Sequence, residues 1–301
     1  MSSRVALISY NKFNYSNMTF SELDDNDRIP SQKISYPRYK VNSSEKQLYI
    51  QTPEIKLDGG GIPSENSPYH PTPKARANGV KIPLENREST PEKLTLFRSK
   101  LEEIDAYLSS DEFKKKFFGP KNKKKYEYIP IVKTPQEIEP DSDDEENKAD
   151  KKERHRPIYM KARIQVVYGS EGDDVNIDVY SEDKTKPRKD RYEEVEVTTL
   201  SELSKYMRYM STVKFVLHPC KIWADKQPAN GGKVRKYSIT FKIKRVIFDK
   251  NQQMSSSIDD DLDKVVCIDS DSDEESDVDT AVKKNYMKEA SADSDDESSD
   301  E

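Results

Sequence analysis

The chain has 301 residues, room for one large or two small domains, yet 33% are hydrophobic and 36% charged, against roughly 45–50% and 25% in an ordinary domain. Residues 258–301 hold 18 Asp and Glu against 4 Lys, which is −14 in a chain of net charge −6 and leaves residues 1–257 at +8. No apolar run approaches 18 residues, and Cys220 and Cys267 are too few and too far apart for a disulfide framework or a zinc site. A membrane-spanning protein and a stapled secreted scaffold are therefore excluded as readings.

Residues 1–30 read as an N-terminal arm, and 1–10 are too short and weakly apolar for a signal peptide. Segments 33–41 and 47–57 read as strands, with Pro53 marking an edge or a bulge. Asp58-Gly-Gly-Gly61 turns the chain, and 64–78, with Pro68, Pro71 and Pro73, reads as a loop. Thr90-Pro91 offers a helix cap with proline at the first helical position. Leu94, Phe97, Leu101, Ile104 and Leu108 then recur every three or four residues, one apolar stripe.

The run 113–128 mixes lysines 114, 115, 116, 121, 123, 124 and 125 with Phe113, Phe117, Phe118, Tyr126 and Tyr128. It reads as a phosphate patch, a nuclear import signal or a solvated helix end. Residues 129–132 read as a short strand. Segments 137–156, 170–190 and everything after 251 lack the apolar content to bury a core.

Alternation returns at 158–168, where Ile158, Met160, Ala162, Ile164 and Val166 share a face, and at 175–180. Thr199-Leu-Ser-Glu202 is a capping-box pattern leading into Leu200, Leu203, Tyr206, Met207 and Met210. Strands at 212–223 and 237–248 close the body. The expected class is mainly β (α+β): an OB-like, partly open β-barrel with two helices, spanning 31–250. Disordered insertions are expected at 137–156 and 183–191, followed by a disordered acidic tail at 251–301; a β-sandwich with helical insertions is the other architecture.

In the last strand Tyr237, Ile239, Phe241 and Ile243 share one face and Ser238, Thr240, Lys242 and Lys244 the other. Pairing the apolar faces of both closing strands places Lys214, Lys242 and Lys244 on a common outer surface. The loop 224–236 adds Lys226, Lys233, Arg235 and Lys236, with Gly231-Gly232 for freedom, beside Lys221, Trp223 and Tyr237. Tyr36-Pro-Arg-Tyr-Lys40 interleaves Tyr36 and Tyr39 with Arg38 and Lys40. Cations that follow phosphates and rings that stack on bases are what single-strand binding needs; a solvated strand face with Trp223 in the core is the plainer alternative.

In the tail, Val265-Val-Cys-Ile268 followed by acids and serines has the form of a SUMO-type contact, an added strand with an acidic rim. Ser142, Ser270, Ser272, Ser276 and Ser294 each have an acid three residues on, which suits an acidophilic kinase. His70, His155 and His218 sit in unrelated contexts, no set has metal-ligand spacing, and the glycine run lacks a phosphate-loop signature. No cofactor, metal or enzyme activity is expected.

Phe215-Val-Leu-His-Pro-Cys-Lys-Ile-Trp-Ala-Asp-Lys226, followed by Tyr237-Ser-Ile-Thr-Phe-Lys-Ile-Lys-Arg245, resembles the C-terminal signature of a family of nucleocytoplasmic large DNA viruses. That family includes an OB-fold single-stranded DNA-binding protein of African swine fever virus. Tyr49-Ile-Gln-Thr-Pro-Glu-Ile-Lys56 and Lys81-Ile-Pro-Leu84 resemble its N-terminal blocks, and the similarity covers about 30–250. The resemblance implies an OB barrel that binds single-stranded DNA in viral replication, recombination or repair. The two separated cysteines imply a reducing intracellular setting, and the resemblance implies host cytoplasm at the viral factory or the nucleus, with packaging in the virion as a further option. Expected partners are single-stranded DNA, with RNA as an alternative, and replication or repair proteins at the tail. The rival reading is an acidic-tailed, chromatin-type module for basic proteins.

Overall fold

A computed structural model of the chain describes residues 4–135, 156–167, 173–228 and 232–250. The first part of the body comprises β1 (Val5–Ser9), β2 (Met18–Phe20), β3 (Asp24–Asp25), β4 (Gln32–Ser35), β5 (Pro37–Val41), β6 (Ser44–Gln51) and β7 (Ile55–Lys56). Then come α1 (Pro73–Asn78), β8 (Lys81–Pro83), α2 (Glu92–Ser109), α3 (Asp111–Phe118) and β9 (Tyr126–Tyr128). The last part comprises β10 (Tyr159–Ile164), β11 (Asp178–Glu182), β12 (Tyr192–Val195), α4 (Leu200–Tyr206), β13 (Thr212–Asp225) and β14 (Arg235–Asp249). The fold is mainly β, built on a mixed sheet that does not close on itself.

Its spine is the long antiparallel pair β13–β14. Short strands relay along both outer edges of that pair. On β13 the neighbours are β4 at 222–225, β6 at 216–217 and β7 at 212–213, all antiparallel. On β14 they are β9 at 235–237, β10 at 241–243 and β11 at 245–249, all parallel. Each relay pairs stretches of the outer edge of a 14- or 15-residue strand without one long partner. Pro53 falls where β6 gives way to β7, as expected of a residue without an N–H.

One face of the spine is the core. Val213, Phe215, Leu217, Ile222 and Ala224 of β13 are buried there with Tyr237, Ile239, Phe241, Ile243, Val246 and Phe248 of β14. The stripe of α2, from Leu94 to Leu108, is buried in the same core. Helix α4 opens with the expected capping box, Thr199 and Glu202 satisfying each other's backbone N–H groups, and its Tyr206 stacks on Phe248.

Several expectations change. Residues 4–30 are no arm: β1 runs parallel to β6, β2 pairs with β5, and β3 pairs with β4. The 183–191 segment is a hairpin connection between β11 and β12, closed by the Asp183 N–H to Arg191 carbonyl bond, rather than a disordered insertion. Its Lys184 bonds both Glu54 and Asp249 at 2.9 Å. Among the described residues there are four α-helices rather than two, α1 and α3 being the additions. Helix α2 begins at Glu92, one residue later than expected, because Thr90 Oγ1 accepts from the Asn86 N–H instead of capping. The strand expected at 129–132 lies at 126–128. Met210 leaves the helix with φ of 69°. The acidic stretch at 137–155, Gly231, the 265–268 motif and the serine sites lie outside the described residues.

Candidate nucleic-acid interface

The outer face of the spine owes its composition to two bulges. The β13–β14 register slips between Val216 and Leu217 and again between Pro219 and Lys221. Proline cannot donate to a ladder, so a bulge beside it is where a proline fits in a strand. The second slip reverses the alternation of β13. Lys214, Val216 and His218 point outward before it, and Lys221 and Trp223 after it, opposite Thr240 and Ser238. Without the slip, Lys221 and Trp223 would point into the core.

Arg163 of β10 sits across from Lys242, so the cations of three neighbouring strands meet on this face. Burial, then the charges of Arg163, Lys242 and Arg28, pull the Lys221 ammonium below its ordinary pKa. Lys244 is lowered by burial and by Lys242 against a smaller opposite pull from Asp178, and donates to Gln165 Oε1 at 2.9 Å. Cys220, at the bulge, donates to the Thr240 carbonyl at 3.2 Å; burial pushes its thiol up against the pull of Lys242, Lys221 and Arg163. Among the described residues no carboxylate ion-pairs with Arg28, Arg38, Arg163, Lys221, Lys242 or Lys244. Like charges held together and left uncompensated work against folding.

Aromatic surface borders this cluster. The Tyr49 ring of β6 stacks on His218 at 4.9 Å between centroids and 20° between planes. His218 Nδ1 donates to the Leu48 carbonyl at 2.8 Å, and its Nε2 lies 3.0 Å from the Gln47 side-chain amide nitrogen, which donates to it. Burial, with Lys244, Lys242 and Arg38 nearby, lowers the His218 pKa, in keeping with this neutral tautomer. Tyr49 and Trp223 are half-buried, and Tyr36 is 46% exposed. Trp223 pairs with Ile34 of β4, so that register, continued by one step, sets Tyr36 opposite Lys221.

Other expected site residues lie elsewhere. Lys214 shares the strand face but sits at its far end, bonded to the buried Glu182 at 2.5 Å and to Glu54 at 3.4 Å. Tyr237 is fully buried; its hydroxyl donates to the Leu108 carbonyl, and its ring packs with Phe113, Phe118, Tyr126 and Tyr128. The aromatics of the lysine run therefore build core rather than a stacking surface. Tyr39 is buried against Phe13, its hydroxyl accepting from Asn14 N and Asn17 Nδ2. Lys226 is paired with Asp25 at 2.8 Å, and Arg235 lies over Tyr126. Arg38, Lys40, Lys233 and Lys236 are exposed.

Sequence reasoning missed Arg163, Arg28, Tyr49 and His218. Lys161 and Arg163 alternate with Met160, Ala162 and Ile164, so their outward direction was readable; the parallel pairing that brings β10 to β14 was not. Among the described residues no group of His, Cys, Asp and Glu could hold a metal ion, and no helix is long and apolar enough to cross a membrane.

No protein-family model matches the chain. It is similar to an uncharacterized protein of Acanthamoeba polyphaga mimivirus, 30% identical over 227 residues. The match covers 70% of this chain and 53% of the mimivirus protein, so the chain spans about half the length of the curated relative it matches.

Proposed function

We propose that the chain is a non-enzymatic single-stranded DNA-binding protein. Lys221, Lys242, Lys244, Arg163 and Arg38 contact the phosphates, and Tyr49, Trp223 and Tyr36 stack on bases. The observation that carries this reading is the convergence of uncompensated cations from β10, β13 and β14 on one sheet face bordered by accessible rings. A solvated strand face needs no such convergence, whereas a phosphate backbone supplies the missing countercharge.

The finer architecture we assign is an OB-type, partly open barrel. The two bulges and the strand relays on both edges of the spine support it, since bulges bend strands and raise their twist. We place the role in viral replication, recombination or repair, in keeping with a relative from a large DNA virus. The acidic tail, −14 over 258–301, competes for the same cations or recruits replication and repair proteins. A module for basic proteins fits the body poorly, because the clustered charges there are themselves cationic.

A fluorescence anisotropy titration with labelled oligo-dT tests the reading. Full-length protein should bind at low salt and lose affinity as salt rises, and protein lacking 258–301 should bind more tightly. Oligo-U in parallel separates DNA from RNA preference. Absence of oligonucleotide binding at low salt, with and without the tail, overturns the proposal.

A further inference from the structure

The cationic face does not end at Arg163. Tyr159, Lys161 and Arg163 alternate along β10 with the buried Met160, Ala162 and Ile164, so all three point outward. Beyond Arg163, β10 leaves β14 and pairs with β8, and there Lys161 stands directly across from Lys81. Like charges at directly opposed positions of an antiparallel pair destabilise it. Burial, then Lys161 and Arg156, lowers the Lys81 pKa. Burial and Lys161 do the same to Lys133, against a smaller opposite pull from Asp105, and Lys133 bridges to Tyr159. Lys81 also lies over the Tyr159 ring, 4.9 Å from its centroid. Among the described residues no carboxylate ion-pairs with Lys81, Lys133, Lys161 or Arg156.

We infer that Lys81, Lys133, Lys161 and Arg156 form a second phosphate-contact site, joined to the first through Arg163, so that a bound single strand runs from β13 across β14 and along β10 to β8. This rests on the proposed function and gives it a direction. The span follows from sheet geometry. Two strand spacings of about 4.8 Å separate β13 from β10, two residues along β10 add about 6.6 Å, and one more spacing reaches β8, for roughly 20 Å in all. That is the reach of a strand of several nucleotides, within the roughly 4–16 covered by single-strand-binding barrels. Tyr159 supplies a ring at the far end, where Lys81 already occupies one side of it.

The test compares full-length wild type with Lys81→Gln/Lys161→Gln and Lys221→Gln/Lys242→Gln, titrated with labelled oligo-dT of about 20 nucleotides over a salt series. Loss of two phosphate contacts should weaken the first variant about tenfold and reduce its log–log salt slope by about 1.4. Its melting temperature should stay level or rise, because a cross-strand repulsion is relieved, so weakened binding cannot be ascribed to misfolding. If wild type and Lys81→Gln/Lys161→Gln bind with the same affinity and slope while Lys221→Gln/Lys242→Gln is weakened, the second site is wrong and the proposed function stands. If neither wild type nor protein lacking 258–301 binds at low salt, both fall.

Discussion

The outer face of the β13–β14 spine has two ends, and they handle positive charge in opposite ways. At one end Lys214 meets the buried Glu182 and Glu54, Lys184 bridges Glu54 and Asp249, and Arg245 bonds Asp178 at 3.0 Å while lying over Tyr180. At the other, burial and the charge of Lys242 lower both Lys221 and Lys244, Arg163 adds to the effect on Lys221, and among the described residues no carboxylate ion-pairs with any of the four. The same strands carry both ends, so strand alternation alone does not decide a lysine's role. The strand that arrives at the edge decides it: β11 brings Glu182 and Asp178, and β10 brings Arg163 and Lys161.

If the paired end is structural and the unpaired end functional, substitutions should separate stability from affinity. The largest effect is expected from Lys214→Met. Among the described residues it leaves the buried Glu182 carboxylate with only Arg191, 3.8 Å away, and the Tyr192 hydroxyl for company. Urea denaturation should show a loss of about 3 kcal/mol, while oligo-dT affinity changes less than about twofold. A stable Lys214→Met protein with lost DNA binding would abolish the distinction.

Trp223→Ala comes next. Removing a base-stacking ring costs about 1–3 kcal/mol of binding, and the salt slope should stay as in wild type because no phosphate contact is lost. A change in slope would place Trp223 in the charge network instead. Lys221→Gln/Lys242→Gln should do the reverse of Lys214→Met: a salt slope lower by about 1.4, with stability level or slightly raised. Destabilisation in that variant would mean that these lysines have structural partners after all.

The smallest effect is pH dependence. Burial lowers the His218 pKa in the folded chain below its ordinary value of 6.5. Above 6.5 both folded and unfolded states hold it neutral, and its contribution to stability is complete. As pH falls below 6.5 the unfolded chain takes up the proton first, so stability is lost from 6.5 down to the folded value. His218→Gln should flatten that acid limb in melting scans between about pH 7 and 5; an unchanged limb would assign it to other groups.

Much of this frame is legible in the residues. The α2 stripe, the Thr199 capping box and the apolar alternation of both closing strands need only local periodicity, and each lies within a residue or two of its expected place. The same alternation that buries Ile239, Phe241 and Ile243 also buries Tyr237, so its pattern pointed to the core even though it stands beside Lys236. What could not be read was non-local. Nothing near Lys214 in sequence announces Glu182, and Arg163 gains its meaning only when β10 docks parallel to β14. The bulge at Cys220 lies between: Pro219 inside an otherwise regular strand is a local sign of a slip, but the direction in which Lys221 and Trp223 then point needs the register. Tyr39 shows the same limit, since its burial depends on Phe13 and Asn17, which come from a segment expected to be an arm.

Photocrosslinking places the ligand most directly. Full-length protein would be crosslinked to bromodeoxyuridine-substituted oligo-dT at low salt and the adducts mapped by peptide mass spectrometry. The account predicts adducts on Tyr49, Trp223 or Tyr36, beside the uncompensated cations. Adducts confined to Tyr180 and Tyr192, at the ion-paired end, would contradict it.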